Sequence, residues 1–126
     1  MDIIEYTPNE LGFIQCEVLS DCQISVEANG KNINKEEIIN IIKYIVDNLT
    51  KIKEIIVTID IYNCEFVDKL RCENKDIFLE RLALSSIHIT NNRLIEVVLD
   101  NEQFMFGHYI CGEFHWNLEF NTSYIC

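Results

Sequence analysis

Three histidines, His88, His108 and His115, and six cysteines, at 16, 22, 64, 72, 111 and 126, are the residues best able to bind a metal, carry a proton or attack an electrophile. His108, Cys111 and His115 form the tightest sequence cluster, and a small enzyme or ligand-binding module would be built on them. In a strand, however, His108 shares a face with Ile110, whereas His115 shares one with Cys111 and Glu113. The two histidines therefore do not converge. No CxxC pair occurs, and zinc sites usually rest on close ligand pairs. Cys111 with His88 or His108 has the residue types of a nucleophile and its base, but nothing in the local sequence supports the pairing. The glycines, at 12, 30, 107 and 112, make neither GxGxxG nor a Walker A loop, and GxSxG and HExxH are absent. The sequence thus predicts no catalytic residue, no metal and no cofactor.

The cysteines raise the question of compartment. Met1-Asp-Ile-Ile-Glu5 has neither the basic start nor the apolar run of a signal peptide. Apolar runs are a few residues long, far short of the roughly 20 that span a bilayer. These features predict a cytoplasmic protein with reduced thiols, most of them small core fillers.

Charge is the more informative signal. The net charge is −11, and all ten Lys and Arg fall between Lys31 and Arg93 beside ten acids, leaving the middle neutral. The other eleven acids have no basic companion. They are Asp2, Glu5, Glu10, Glu17, Asp21 and Glu27 near the start, then Glu96, Asp100, Glu102, Glu113 and Glu119. Two readings follow. The acids are a solubility coat, or they are a steering surface for a cationic partner. Either way the surface suits neither nucleic acid, whose phosphates need Lys and Arg, nor a membrane. Trp116, with Phe114, His115, Phe120 and Tyr124, gives the acidic C-terminal region an aromatic end. Such side chains serve either as interface anchors or as core.

These residues need elements to position them. A chain of 126 residues, 48% hydrophobic, fits one domain over 1–126 with a substantial core. Leu11–Val18 and Cys22–Ala28 read as an antiparallel hairpin closed near Ser20-Asp21. Asn34 caps a helix with Glu37 completing a capping box, and Ile38, Ile41, Ile42, Ile45, Val46 and Leu49 line one face. From Thr50 to Leu70 the residues Ile52, Ile55, Ile56, Ile59, Tyr62, Phe66 and Leu70 continue a helical stripe, although the run Glu54–Tyr62 is dense in β-branched residues that favour strands. Asn74 caps a short helix, Lys75–Leu82. Strands follow at Ser86–Thr90, Leu94–Asp100, Phe104–Phe114 and Trp116–Phe120. The expected class is α+β: an N-terminal β hairpin, two to three helices packed on one sheet face, and a C-terminal antiparallel β meander.

The stretches Asp76-Ile-Phe-Leu-Glu-Arg-Leu-Ala-Leu-Ser-Ser-Ile-His-Ile89 and Phe104-Met-Phe-Gly-His-Tyr-Ile110 resemble phrases of small acidic bacterial families known only as domains of unknown function. Leu11-Gly-Phe13 and the helix capped at Asn34 fit the same layout. Some such proteins are thought to be immunity proteins of polymorphic toxins. The resemblance carries no catalytic residues; Gly107 and His108 match it and read as structural. The second helix is more Ile-rich than the pattern, and the end is richer in Cys and aromatics. Charge and resemblance together predict a non-catalytic binding domain. Its partner would be a basic protein, such as a cognate nuclease-like toxin domain, met by Glu96, Asp100, Glu102, Glu113, His115, Trp116 and Glu119.

Overall fold

The computed structural model describes residues 3–7, 11–16, 22–27, 34–90, 93–101 and 103–126. Strands β1 (Ile3–Thr7), β2 (Leu11–Cys16) and β3 (Gln23–Glu27) come first. Five helices follow, and then β4 (Ala83–Ile89), β5 (Leu94–Asp100), β6 (Tyr109–His115) and β7 (Phe120–Ile125). The seven strands form one sheet in chain order, antiparallel throughout except where β3 runs parallel beside β4. The expected class is what is found, α+β with an N-terminal hairpin (β2–β3) and a C-terminal meander (β4–β7). Strand β1 adds an edge that the sequence reading did not include.

Helix α1 (Lys35–Asp47) begins where predicted: the Asn34 side chain accepts the Glu37 N–H at 3.2 Å, and Glu36 and Glu37 sit at the positive end of the helix dipole. Ile38, Ile41, Ile42 and Ile45 are buried. The stripe that follows does not make one helix. Asn48 ends α1, its side chain donating to the Tyr44 carbonyl at 2.9 Å, and α2 (Leu49–Ile56) starts at once. Thr58 then accepts the Ile61 N–H and opens α3 (Ile59–Tyr62), while Asp68 accepts the Leu70 and Arg71 N–H groups and opens α4 (Lys69–Cys72). Side chains that cap in mid-pattern divide the helix. Ile52 and Ile56 stay buried, but Ile59 is 61% and Leu70 95% exposed, so the stripe does not continue as a core face. Asn74 caps α5 (Lys75–Arg81) by accepting the Ile77 N–H at 2.9 Å, and Phe78 is buried on it.

The core lies between these helices and one sheet face. Ile24 and Val26, Ile87 and Ile89, Ile95, Val97 and Leu99, and Ile110 and Phe114 alternate inward from β3 to β6. Each such aliphatic or aromatic side chain contributes about 1.5–3 kcal/mol on burial. Gly112 of β6 also faces inward, and a Cβ there would lie 2.3 Å from Cγ1 of Ile56. Its lack of a side chain is what lets α2 sit directly on β6.

Three expectations at the C-terminal end are corrected. Phe104–His108 is a turn: Asn101 Oδ1 accepts the Gln103 and Phe104 N–H groups, Phe106 and Gly107 take positive φ, and His108 N–H bonds to the Met105 carbonyl. Phe104 and Met105 still plug the core. The last strand is Phe120–Ile125, because residues 116–119 turn, with Leu118 N–H bonded to the His115 carbonyl and Glu119 N–H to Asn117 Oδ1. Finally, the cysteines are not all reduced: Cys111 and Cys126 form a disulfide. Cys126 exchanges two backbone hydrogen bonds with Tyr109, which sets it diagonally across from Cys111 on one face. Cys22 and Cys72 are buried, as expected, Cys72 as a free thiol, and Cys64 is a free thiol and half-buried. Cys16 falls outside the described side chains. Among the described residues no helix is long and apolar enough to cross a membrane.

Candidate functional site

The sheet face turned away from the helices carries what the core-facing alternation leaves outside. Residues in register form a row across it: Ser25, His88, Glu96, Glu113 and Thr122. Glu27 and Asp100 lie on the same face beside that row. Glu27, Glu96, Asp100 and Glu113 are all half-buried, and strands β3 to β7 contain no Lys or Arg.

Glu96 and Glu113 are the centre of this face. Tyr109 and Cys126 exchange hydrogen bonds across β6–β7, so Glu113 bonds toward β7 and its neighbours Gly112 and Phe114 toward β5. Glu96 and Glu113 therefore oppose each other as a non-hydrogen-bonded pair, the arrangement that brings facing side chains closest. Among the described residues neither carboxylate is given a cation. Glu96 Oε2 accepts from the Tyr124 hydroxyl at 2.8 Å, and Glu113 Oε1 accepts from Asn121 Nδ2 at 3.0 Å. The bond to Glu96, together with partial burial and the Glu96 and Glu113 charges, pushes the Tyr124 phenol up to about 12. Both acids are thus held in place by neutral donors.

The sequence reading missed the neighbouring cluster. Ser25 and Glu27 share a face on β3, and His88 reaches across from β4. Ser25 Oγ lies 2.5 Å from His88 Nδ1, and His88 Nε2 lies 3.1 Å from Glu27 Oε1. Serine, imidazole and carboxylate in line are the parts of a nucleophilic relay. Acyl transfer needs in addition a cleft and donors for an oxyanion. Among the described residues these three lie on the sheet face away from the helices, and the backbone of β3 and β4 is committed to the ladder. The contacts clamp β3 to β4. Only the alternation of Ser25 and Glu27 was visible in advance; His88 joins them through a pairing between distant segments.

The remaining predicted residues separate. His115 is exposed at the end of β6, on the acid face beside Leu94. Glu119 is exposed in the turn after it, with its carbonyl accepting the His115 N–H. Trp116 lies against the core with the Arg93 guanidinium 4.4 Å over its ring, and Arg93 also reaches Glu37 at 3.5 Å. The ring therefore belongs to a junction between the β6–β7 turn and α1. Glu102 lies outside the described residues. His108, Cys111 and His115 do not meet: His108 packs tilted against Phe66 with centroids 4.2 Å apart, Cys111 is in the disulfide, and His115 is at the far end of β6. Among the described residues no group of three or more His, Cys, Asp or Glu is placed to hold a metal ion. Comparison of the chain with protein-family models, curated proteins and solved structures gave no match.

Proposed function

We propose that this chain is a non-catalytic binding domain whose open sheet face receives a basic protein surface. The observation that carries the reading is the opposed pair Glu96–Glu113 on a face with no cation in β3 to β7. Like charges directly opposite one another destabilise a sheet. Here they are oriented by Tyr124 and Asn121, and among the described residues no cation compensates the pair. A Lys or Arg from a partner, set between the two carboxylates, relieves their repulsion and gains charge-assisted hydrogen bonds. The summed field of the face draws such a partner in and repels polyanions.

The resemblance noted above makes this reading more specific: an immunity protein that covers the cationic active site of a cognate nuclease-like toxin domain. That role sets its place of action in the cytoplasm, where reducing thiols act against the Cys111–Cys126 bridge. The test is to search beside this chain's gene for one encoding a secreted protein with a basic C-terminal domain, whose absence counts against the immunity role, and to measure binding kinetics with that domain at low and at physiological salt. Replacing Glu96 and Glu113 together by Lys is expected to slow association roughly tenfold or more at low salt and to change dissociation less. Glu36→Lys with Asp47→Lys on α1 is expected to have a much smaller effect. Association indifferent to salt and to the sheet reversals refutes the proposal and leaves the acids as a solubility coat.

A further inference from the structure

Among the described strands β7 is an edge of the sheet, and its pairing leaves a set of peptide groups pointing outward. Because Cys126 and Tyr109 exchange hydrogen bonds, Tyr124 and Thr122 also bond to β6, and Ser123 and Ile125 turn their N–H and C=O groups away from it. Helices α2 and α3 come near β7, but among the described residues no backbone hydrogen bond joins either to it. Proteins usually blunt such an edge with Lys, Pro or an inward charge. The run Phe120-Asn-Thr-Ser-Tyr-Ile125 has none of these, and Phe120, Asn121, Thr122 and Tyr124 are exposed.

The acid row runs up to this edge, since Thr122 is the register neighbour of Glu113, which is the neighbour of Glu96. We infer that β7 is a strand-addition site for an extended segment of a basic protein, paired antiparallel or parallel through Ser123 and Ile125. The added strand would carry Lys or Arg at alternate positions on the acid face. A residue opposite Thr122 lies two strand spacings, about 10 Å, from Glu113. A Lys or Arg side chain spans enough of that gap to bring its charge within the roughly 8 Å over which exposed charges act. Main-chain bonds would supply affinity and the alternating cations specificity. A second copy of this chain is a poorer occupant, because its net charge is also −11 and its acid face would adjoin this one.

The inference rests on the acidic-face reading, and the test separates the two. The probes are short capped peptides: one alternating Lys and Val, one with the same residues in two blocks, and the alternating one N-methylated at every second amide in each of the two frames. The intact protein is titrated with each and followed by calorimetry and by amide NMR shifts. The alternating peptide is expected to bind about tenfold more tightly than the blocked one and to shift the Ser123 and Ile125 amides most. N-methylation in one of the two alternating frames is expected to abolish the difference. Ser123→Pro removes an outward N–H that β6 does not use, and is expected to act likewise; N-methylation gives the same answer on the unaltered protein. Equal, salt-sensitive binding of alternating and blocked peptides overturns strand addition and leaves the acidic face standing. Absence of binding by any cationic peptide overturns both. Self-association that Ser123→Pro abolishes assigns the edge to a second copy and overturns the basic partner.

Discussion

Removing one charge from the Glu96–Glu113 pair should make the protein more stable. Glutamine keeps the acceptor that Asn121 uses, so Glu113→Gln changes the charge and little else. Opposed side chains in a non-hydrogen-bonded pair place carboxylates roughly 6 Å apart. Two unit charges at that distance repel by about 0.7 kcal/mol in water and by about 3 kcal/mol at the effective dielectric of a protein surface. Both groups are half-buried, so a value near 1 kcal/mol at low ionic strength is expected, falling by about half at physiological salt. The assay is urea unfolding at the two salt concentrations, with a thermal scan in which this gain raises Tm by about 2–5 °C. Glu96→Gln should gain a similar amount. The double variant should gain scarcely more than either single one, because the first substitution already removes the repulsion. A loss of stability on Glu113→Gln, a gain indifferent to salt, or strict additivity in the double variant would refute the reasoning.

Three further outcomes are expected. Tyr124 is held neutral by Glu96, so its folded-state pKa, about 12, is raised above the ordinary 10.0. The stability it contributes is fully present below about pH 10 and is lost as pH rises from there toward about 12; in Glu96→Gln, phenolate absorbance should show one tyrosine ionising earlier. The disulfide closes a loop with a sequence separation of 15, so reduction should cost about 3 kcal/mol by loop entropy. Cys126→Ser should show that loss without reductant and no further response to it, as read by urea unfolding. Gly112→Ala sets a methyl 2.3 Å from Ile56, itself fully buried. It should cost about 1–3 kcal/mol by overpacking, and Ile56→Val in the same chain should recover part of it, as measured by the same assay.

The parts of this molecule legible in the sequence are those set by short-range chemistry. Asn34 and Asn74 announce their helices because a capping side chain and its N–H lie three residues apart. The later part of strand β4 is legible from the alternation Ser86-Ile-His-Ile-Thr90, and the charge partition that marks the acid face needs no structure. What depends on pairing was hidden. Thr58 and Asp68 looked like polar positions in a helical stripe, and only the fold shows their side chains capping new helices. Phe104-Met105 had the apolar character of a strand but plugs the core from a turn. The Cys111–Cys126 bridge, the opposition of Glu96 and Glu113, and the Ser25–His88–Glu27 clamp all require knowing which strand lies beside which.

The parallel seam between β3 and β4 has a consequence for the order in which the molecule is made. Strands β1 to β3 leave the ribosome early but can join the sheet only along β4, after the helical segment, residues 34–82, has been synthesised. Until then the growing chain exposes Ile24 and Val26, side chains that end up in the core. The meander β4–β7, by contrast, closes through neighbours in sequence and can form as it emerges. A nascent chain should therefore zip up from its later half, with the N-terminal hairpin docking last and, once folded, exchanging its amide hydrogens first.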